Sequence, residues 1–183
     1  MSGIHHMLVH FPVGFWALAT LMILFGSIFN GRLAELSREA LLPVLVLSLL
    51  AALVAIVTGF LVWPLEAALY SPLTRNHILT AFWSTGVYLM LTILVWRAGS
   101  AAFDGALRWV LVVLALTGMF IFAATGTIGG HLVGATTQFS DLLKLLGWDV
   151  YHTFYAPTWA LVVIVLIGLV SAAVGMIGKR STP

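Results

Sequence analysis

Histidine is the strongest ligand type in this 183-residue sequence, because the chain contains no cysteine. The lack of thiols excludes disulfides, thiolate metal sites, iron–sulfur clusters and covalently attached c-type haem. Six histidines remain, and three of them fall within the first ten residues: His5, His6, His10, His77, His131 and His152. Imidazole ligation of a metal ion or of haem iron is therefore the chemistry to consider.

Of the cofactors that imidazoles can bind, haem b requires the fewest histidines to come together. Two neutral imidazoles from different helices, one on each face of the porphyrin, are enough to hold a low-spin haem in a helical bundle. His10 is the deepest of the N-terminal three, and His77 lies at a similar height on another helix. We therefore predict His10 and His77 as the axial ligands, and the other histidines are further candidates for contacts with the cofactor.

A metal ion without a porphyrin is the alternative, and it requires more side chains to converge. Zinc or copper takes three or four ligands at about 2 Å. The residues available for such a site are His10, His77 and His131, with His6 as a fourth. A third hypothesis is a structural subunit of a membrane complex, whose histidines are interfacial and bind no cofactor.

The elements that position these histidines are membrane-spanning helices. Hydrophobic residues make up 62% of the chain, charged residues only 8%, and the mean hydropathy of +1.12 is far above that of soluble domains. Five apolar runs reach the roughly 20 residues that a helix needs to cross the hydrocarbon layer. They are residues 8–29, 41–63, 77–96, 109–132 and 157–178. The predicted fold is all-α, a single integral membrane domain with a four-helix core plus a fifth helix.

The basic residues between these runs alternate in number from one connection to the next. Arg75 and Lys144 fall on one side of the membrane, and the other six of the eight basic residues fall on the opposite side. The positive-inside rule then places the N-terminus in the periplasm and the C-terminus in the cytoplasm of a bacterial inner membrane. All six histidines lie on the periplasmic side in this orientation. A formal net charge of +2 gives no reason to expect a nucleic-acid partner.

Glycines recur at multiples of four residues in and just after the fourth run, at Gly118, Gly126, Gly130 and Gly134, with Phe122 in the one gap. This stripe leaves one face of the helix nearly bare. It is typical of close helix–helix contact, and it would equally make room for a flat macrocycle, so the two interpretations can hold at different depths. Gly126 and Gly130, near the periplasmic end, are predicted to face the cofactor.

Local signals predict how the runs begin and how they are connected. Pro12 is expected in the first turn of the first span, and Asn76 is expected as the N-cap of the third. Arg75 is placed to bind haem propionates. The segment 136–157 is predicted to contain an amphipathic helix in the outer interface, with membrane-interface aromatic residues at Trp148, Tyr151, Tyr155 and Trp159.

The opening stretch HHMLVHFPVG resembles the first motif of the DUF2231 family of predicted membrane proteins. That motif reads His-Pro-x-x-Val-His-Phe-Pro followed by Ile or Val. His5 and His10 match its two histidines, Phe11 and Pro12 are in register, and His6 stands where the family usually has proline. The resemblance extends through TGF in the second run, the histidine that opens the third run and TGTIGGHLV in the fourth, and it covers residues 5–135.

The resemblance implies a small membrane protein that occurs beside c-type cytochromes and redox enzymes and binds haem b. Two features depart from the family pattern: His131 stands in place of the usual glutamate, and the fifth span lies beyond the four-span core. The residues and the resemblance together predict an electron-transfer subunit in the lipid bilayer. It would link the quinone pool to a c-type cytochrome or another periplasmic redox subunit of a hetero-oligomeric complex. One haem is favoured over two, and quinone is a further predicted ligand.

Hydrolytic and acyl-transfer chemistry find no support in the sequence. No serine or threonine lies in a nucleophile-elbow motif, and the acidic residues are too few and too peripheral to form a proton-relay chain. The chain is therefore expected to be a non-catalytic or quinol-oxidising subunit of a redox complex, and the sequence leaves open whether it is an enzyme in its own right.

Overall fold

The computed structural model describes residues 2–63 and 65–178, and the chain is all-α, as predicted. This part of the chain forms eight α-helices and one 3₁₀-helix. In chain order they are α1 (Ser2–Leu8), α2 (His10–Ile28), α3 (Arg32–Val62), α4 (Leu65–Tyr70), α5 (Pro72–Ala98), the 3₁₀-helix (Gly99–Phe103), α6 (Gly105–Leu132), α7 (Phe139–Leu145) and α8 (Thr158–Gly178).

The prediction of a multi-pass membrane protein is confirmed by helix length and hydropathy. Five stretches of the described chain are long and apolar enough to cross a membrane: Gly3–Ile28, Arg32–Val62, Pro72–Phe103, Gly105–Leu132 and Thr158–Gly175. The first four begin earlier in the chain than the predicted runs. The largest difference is in α3, which begins at Arg32 instead of residue 41. Its first turns, RLAELSREA, carry charges that hydropathy counts against a span, although arginine and glutamate are good helix formers.

The start of α5 also differs from the prediction. Ser71 is the N-cap, and its hydroxyl oxygen accepts a hydrogen bond from the backbone N–H of Thr74 at 3.4 Å. Serine followed by Pro72 is a strong helix start, because proline lacks only an N–H that would have no partner there. Asn76 is instead fully buried inside the helix and donates to the carbonyl oxygens of Pro72 and Thr153. The predicted N-cap at Asn76 is wrong, and His77 lies in the second turn of α5.

Pro12 lies well inside the first span instead of in its first turn, because the helical chain reaches back to Ser2. Proline has no N–H to donate to the carbonyl oxygen of Leu8, and the helix is interrupted at Val9, where α1 ends and α2 begins. α1 then packs against α3. The N-terminal histidines therefore lie on both sides of this interruption, His5 and His6 on α1 and His10 on α2.

The core of the fold is a ring of four helices, α2, α3, α5 and α6, in which each helix packs against two neighbours. α3 and α6 are diagonal in this ring: both contact α2 and α5, and they make no substantial contact with each other within the described residues. α8 packs on the outside of α6 and exposes most of its apolar side chains, as expected for a helix surrounded by lipid. This is the predicted four-helix core plus one helix.

One half of the ring is filled by tightly packed side chains. Trp16 stacks on Tyr88 with ring centroids 4.6 Å apart, and the buried hydroxyls of Tyr88 and Thr20 are hydrogen-bonded at 2.8 Å. Farther along α2, the carbonyl oxygen of Gly26 accepts a hydrogen bond from Nε of Arg38, a residue of α3, at 2.8 Å. We call this half, from the Trp16–Tyr88 stack to Gly26 and Arg38, the closed end. The opposite end, which carries His5 and His77, is the histidine end.

The connection between α6 and α8 packs back onto the histidine end. α7 has only seven residues, and Leu143 and Trp148 are buried against Ala124 and Ile128 of α6. Trp148 is 2% exposed, so its predicted place at the membrane interface is wrong. The other three aromatic residues of that prediction are partly exposed: Tyr151, Tyr155 and Trp159.

Candidate functional site

A cavity of about 470 Å³ lies between the helices at the histidine end. Its volume falls within the range of roughly 300–1,000 Å³ that is usual for small-molecule and cofactor sites. Its described lining is largely apolar and includes no Asp, Glu, Lys or Arg. Four of the six histidines line it: His5, His6, His10 and His77. The only ionisable groups on the described walls are therefore imidazoles.

His77 is held between α5 and α6 by a hydrogen bond and a glycine. Its Nδ1–H donates to the carbonyl oxygen of Thr125 at 3.1 Å, because a carbonyl oxygen can only accept. The ring rests on Gly129, where an added Cβ would lie 2.9 Å from Cε1 of His77. Nε2 then carries the lone pair. It has no hydrogen-bond partner among the described residues, and it is not completely enclosed.

His5 is held on α3 in a closely similar way. Nδ1 lies 3.3 Å from the hydroxyl oxygen of Thr58, and that hydroxyl donates its own proton to the carbonyl oxygen of Val54 or Ala55. Nδ1–H of His5 is therefore the donor, and Nε2 again carries the lone pair. The ring rests on Gly59, where an added Cβ would lie 3.0 Å from Cε1 of His5. Two rings are thus fixed by a threonine oxygen and a glycine of a neighbouring helix.

His10 and His6 line the cavity with less support. Nδ1–H of His10 donates to the carbonyl oxygen of His6 at 2.7 Å, so this bond joins the start of α2 to α1, four residues earlier in the chain. Both residues are exposed. The structure brings all three N-terminal histidines to the cavity, His5 and His6 from α1, which packs against α3, and His10 from the start of α2.

The glycine stripe of α6 serves two purposes at different depths. A Cβ on Gly118 would lie 3.0 Å from Cε2 of Tyr88, so this glycine permits close packing at the closed end. Gly126 and Gly130 line the cavity, and a Cβ on Gly126 would meet nothing within 4 Å. A Cβ on Gly130 would come within 2.5 Å of the backbone oxygen of Ala135, so this glycine also lets the chain turn back after α6.

Aromatic side chains form much of the cavity wall that the histidines leave free. Trp16 and Phe122 lie in the lining toward the closed end, with ring centroids 5.2 Å apart in an edge-to-face arrangement. Phe60 and Phe82, whose ring centroids are 6.2 Å apart, line the side between α3 and α5 and are partly exposed to the bilayer. A planar apolar ligand would find π-faces on two sides of this space.

His131 does not line the cavity. Its Nδ1 lies 2.6 Å from the hydroxyl oxygen of Tyr151, and the two rings meet edge to face with centroids 5.1 Å apart. Successive residues of a helix are rotated by about 100°, so the face that directs Gly126 and Gly130 to the cavity turns His131 away from it. Within residues 2–63 and 65–178, no group of three or more His, Asp or Glu could hold a metal ion. The structure does not bring His131 together with His10 and His77.

His152 and Arg75 are also outside the lining. The His152 side chain is 86% exposed and lies 3.2 Å from the Asp149 carboxylate. The backbone N–H of Tyr151, with help from His152, lowers the pKa of Asp149 below its usual value. Arg75 donates to the carbonyl oxygen of Leu69 at 3.0 Å and to the Tyr155 hydroxyl, and its guanidinium lies over the Phe154 ring at 3.8 Å. These contacts leave Arg75 directed away from the cavity. The sequence predicted that it would face the cofactor and bind the propionates.

Sequence reasoning missed the four residues that hold the two rings: Thr58, Gly59, Thr125 and Gly129. A signal was present, because Thr-Gly occurs in TGF of α3 and in TGTIGG of α6. These motifs carried the family resemblance, but nothing in their spacing showed that a histidine of another helix would pack against each.

No protein-family model matches the chain, and neither a curated protein nor a solved structure matches it significantly.

Proposed function

We propose that this chain is a haem b-binding membrane subunit that transfers electrons at the periplasmic side of the bacterial inner membrane. The observation that supports this most is the cavity at the histidine end, where imidazoles from separate helices line one largely apolar space. His5 and His77 each have Nδ1 engaged with a neighbouring helix and Nε2 free to ligate iron. Hydrogen bonding at the second nitrogen is the usual way in which a protein orients a ligating histidine.

The residues present fit a porphyrin in three respects. The walls are apolar and aromatic, the open face of Gly126 leaves room for a flat ring system, and neutral imidazoles supply the ligands. They fit a porphyrin-free metal less well, because the described residues contain no group of three potential ligands. His6 and His10 are the exposed histidines of the lining. In this proposal they replace Arg75 as the partners of the haem propionates.

Haem iron, when bound, supplies one-electron redox chemistry. The chain itself performs the remaining tasks. His77 and a histidine of the N-terminal three would hold the iron through their free ring nitrogens. Trp16 and Phe122 keep water away from the inner side of the cavity, and the low polarity of the lining helps to set the reduction potential.

The partners follow from the placement of the cavity at one end of the bundle. With the N-terminus in the periplasm, a soluble c-type cytochrome or another redox subunit could dock within short electron-transfer distance. The quinone pool is the proposed electron source in the bilayer. The resemblance of residues 5–135 to the DUF2231 family implies the same setting, and membership of that family is part of the proposal.

The proposal is tested by the spectrum of the protein purified in detergent from a haem-replete bacterial host. We expect a Soret band, an α band of b type after reduction with dithionite, and one haem per chain by the pyridine haemochrome assay. His77→Ala should lose the haem, and His152→Ala, a change at an exposed histidine outside the cavity, should retain it. A colourless protein, or one with only a weak d–d band, would contradict the proposal and favour a structural or a non-haem metal-binding role.

A further inference from the structure

We infer that His5 and His77 are the two axial ligands of the haem, and that Thr58, Gly59, Thr125 and Gly129 position them. This inference rests on the proposed function and goes beyond it, because it replaces the pairing of His10 with His77 that the sequence predicts. It depends on three features of the structure: the matched environment of the two rings, their arrangement across the helix ring, and the weaker support of His10.

The first feature is that the two rings are held by the same set of contacts. If Gly59 and Gly129 each carried a Cβ, that atom would lie nearest to Cε1 of the histidine ring above it, then to Nδ1, and then to Nε2. In both cases Nδ1–H donates to an oxygen of a threonine on the supporting helix, the side-chain hydroxyl of Thr58 or the backbone carbonyl of Thr125. Each ring therefore presents the same nitrogen, Nε2, as a free lone pair in a fixed orientation.

The second feature is that the supports lie on diagonal helices. His5 rests on α3, and His77, which belongs to α5, rests on α6. α3 and α6 each pack against α2 and α5, and the cavity occupies the space between them at the histidine end. The two imidazoles that line this space are thus held by supports on diagonal helices, a placement that suits bis-histidine ligation of a porphyrin, which needs one imidazole on each face.

The third feature is the contrast with His10. Its hydrogen bond is to His6, four residues earlier in the chain, and its side chain is exposed. His10 does not rest on a glycine: no Cβ added to a glycine of the described chain would have a His10 atom among its nearest neighbours. The His5 and His77 rings are each held by a hydrogen bond and a glycine of a neighbouring helix, whereas the His10 ring is tied only to the chain one turn before it. A ligand that is already ordered loses less freedom when it binds. His5 is therefore the better partner for His77.

The ligand assignment is tested by haem content and by the spin state of the ferric protein. We expect His5→Ala and His77→Ala each to convert the low-spin spectrum to a high-spin one or to lose the haem. Added imidazole should restore the low-spin spectrum of these variants, which shows that the remaining structure is intact. His152→Ala is the control for replacing a histidine outside the cavity.

The positioning residues are tested by changes that leave both histidines in place. Thr58→Val removes the acceptor for His5, and haem retention should fall about tenfold, whereas Thr58→Ser should behave like the wild type. Gly59→Ala and Gly129→Ala should shift the electron paramagnetic resonance g values of the low-spin iron, because the new methyl group displaces each ring. Gly86→Ala is the matched control, since an added Cβ there meets nothing within 4 Å.

The possible results separate this inference from the proposed function. Wild-type protein that contains no haem contradicts both. Wild-type protein with haem, together with a low-spin spectrum that survives in His5→Ala and is lost in His10→Ala, overturns the inference and leaves the proposed function standing. Unchanged g values in both glycine variants would show that Gly59 and Gly129 do not position the ligands.

Discussion

The two ends of the bundle are built from the same four helices, but different side chains fill the space between those helices. At the closed end, Trp16 and Tyr88 are stacked and Gly118 lets α6 approach α5, so the space is filled by large rings. At the histidine end, Gly126 of the same α6 face meets no other side chain, and a cavity of about 470 Å³ remains. Glycine thus allows close helix packing at the closed end and leaves part of the cavity wall open at the histidine end.

This difference suggests a division of labour along the helices. Dense packing at the closed end stabilises the fold, and the histidine end can then keep an open cavity that packing would otherwise fill. Substitutions at the closed end should therefore change stability, and those at the histidine end should mainly change ligand binding.

The largest expected effect is that of truncating Tyr88. Tyr88→Ala removes a fully buried ring and should lower the free energy of unfolding by about 3–5 kcal/mol, because the Trp16 side chain and the neighbouring helices cannot collapse into the gap. Phe82→Ala, at the histidine end, removes a ring that is 49% exposed and should cost less than about 1 kcal/mol. Thermal unfolding in detergent measures both. Equal losses would show that the two ends contribute alike to stability.

The second prediction compares two glycines on one face of α6. Gly118→Ala should lower the free energy of unfolding by about 1–3 kcal/mol, since Tyr88 is held by its stack and its hydroxyl and cannot move aside. Gly126→Ala should raise it by up to about 1 kcal/mol, because alanine is the better helix former and its Cβ meets nothing within 4 Å. The same unfolding assay should show changes of opposite sign. Two changes of the same sign would remove the distinction between the ends.

The third prediction concerns the end of α2. Arg38 donates to the carbonyl oxygens of Gly26 and Phe29, which the last turn of the helix leaves without partners. Arg38→Ala should lower the free energy of unfolding by about 1.5–2 kcal/mol, because hydrogen bonds from a charged group are lost. Arg32→Ala, at an exposed position on the same helix as Arg38, is the matched control and should have little effect. A comparable loss in both variants would show that the positive charge matters more than these bonds.

The smallest expected effect is at Asp149, outside the membrane-spanning helices. The pKa of Asp149 is lowered in the folded chain, chiefly by the N–H of Tyr151. The ionised carboxylate therefore stabilises the fold at pH values above the unfolded pKa of about 3.8, and this stabilisation is lost as the pH falls through the lower pKa of the folded chain. Hydrogen exchange of the Tyr151 amide should therefore quicken in Asp149→Asn at neutral pH. The variant should also lose the acid dependence of the wild type below about pH 4. Exchange that is the same in both proteins would contradict this.

Hydropathy predicted the membrane spans well, because burial in lipid requires about 20 apolar residues whatever their neighbours are. It did not predict the polar first turns of α3 and α5, because hydropathy does not measure the hydrogen bonds that Arg38 makes to the end of α2 or the Ser71 cap of α5. The interruption at Val9 follows from Pro12, but it could be recognised only once the helix was known to reach back to Ser2.

The candidate site was predictable in its residue types and less so in its geometry. Histidines near one end of the membrane spans could be grouped from the sequence, and four of the six line one cavity. Height along the span does not determine rotation about the helix axis, and rotation turns His131 toward Tyr151. The contacts of His5 with Gly59 and of His77 with Gly129 join residues far apart in the chain, so the local spacing of residues could not show them.

The dense packing of the closed end has an electrical consequence. Between Val110 and Phe122 of α6 the interior is filled by buried side chains over about 18 Å of helix. A water-free layer of this thickness carries most of the voltage drop across the membrane. Moving one elementary charge through the whole drop changes its energy by about 2.3 kcal/mol per 100 mV. A charge that enters the histidine cavity from its own side crosses only a small part of that field. Exchange between this cavity and a partner on the same side is therefore expected to be nearly independent of membrane potential.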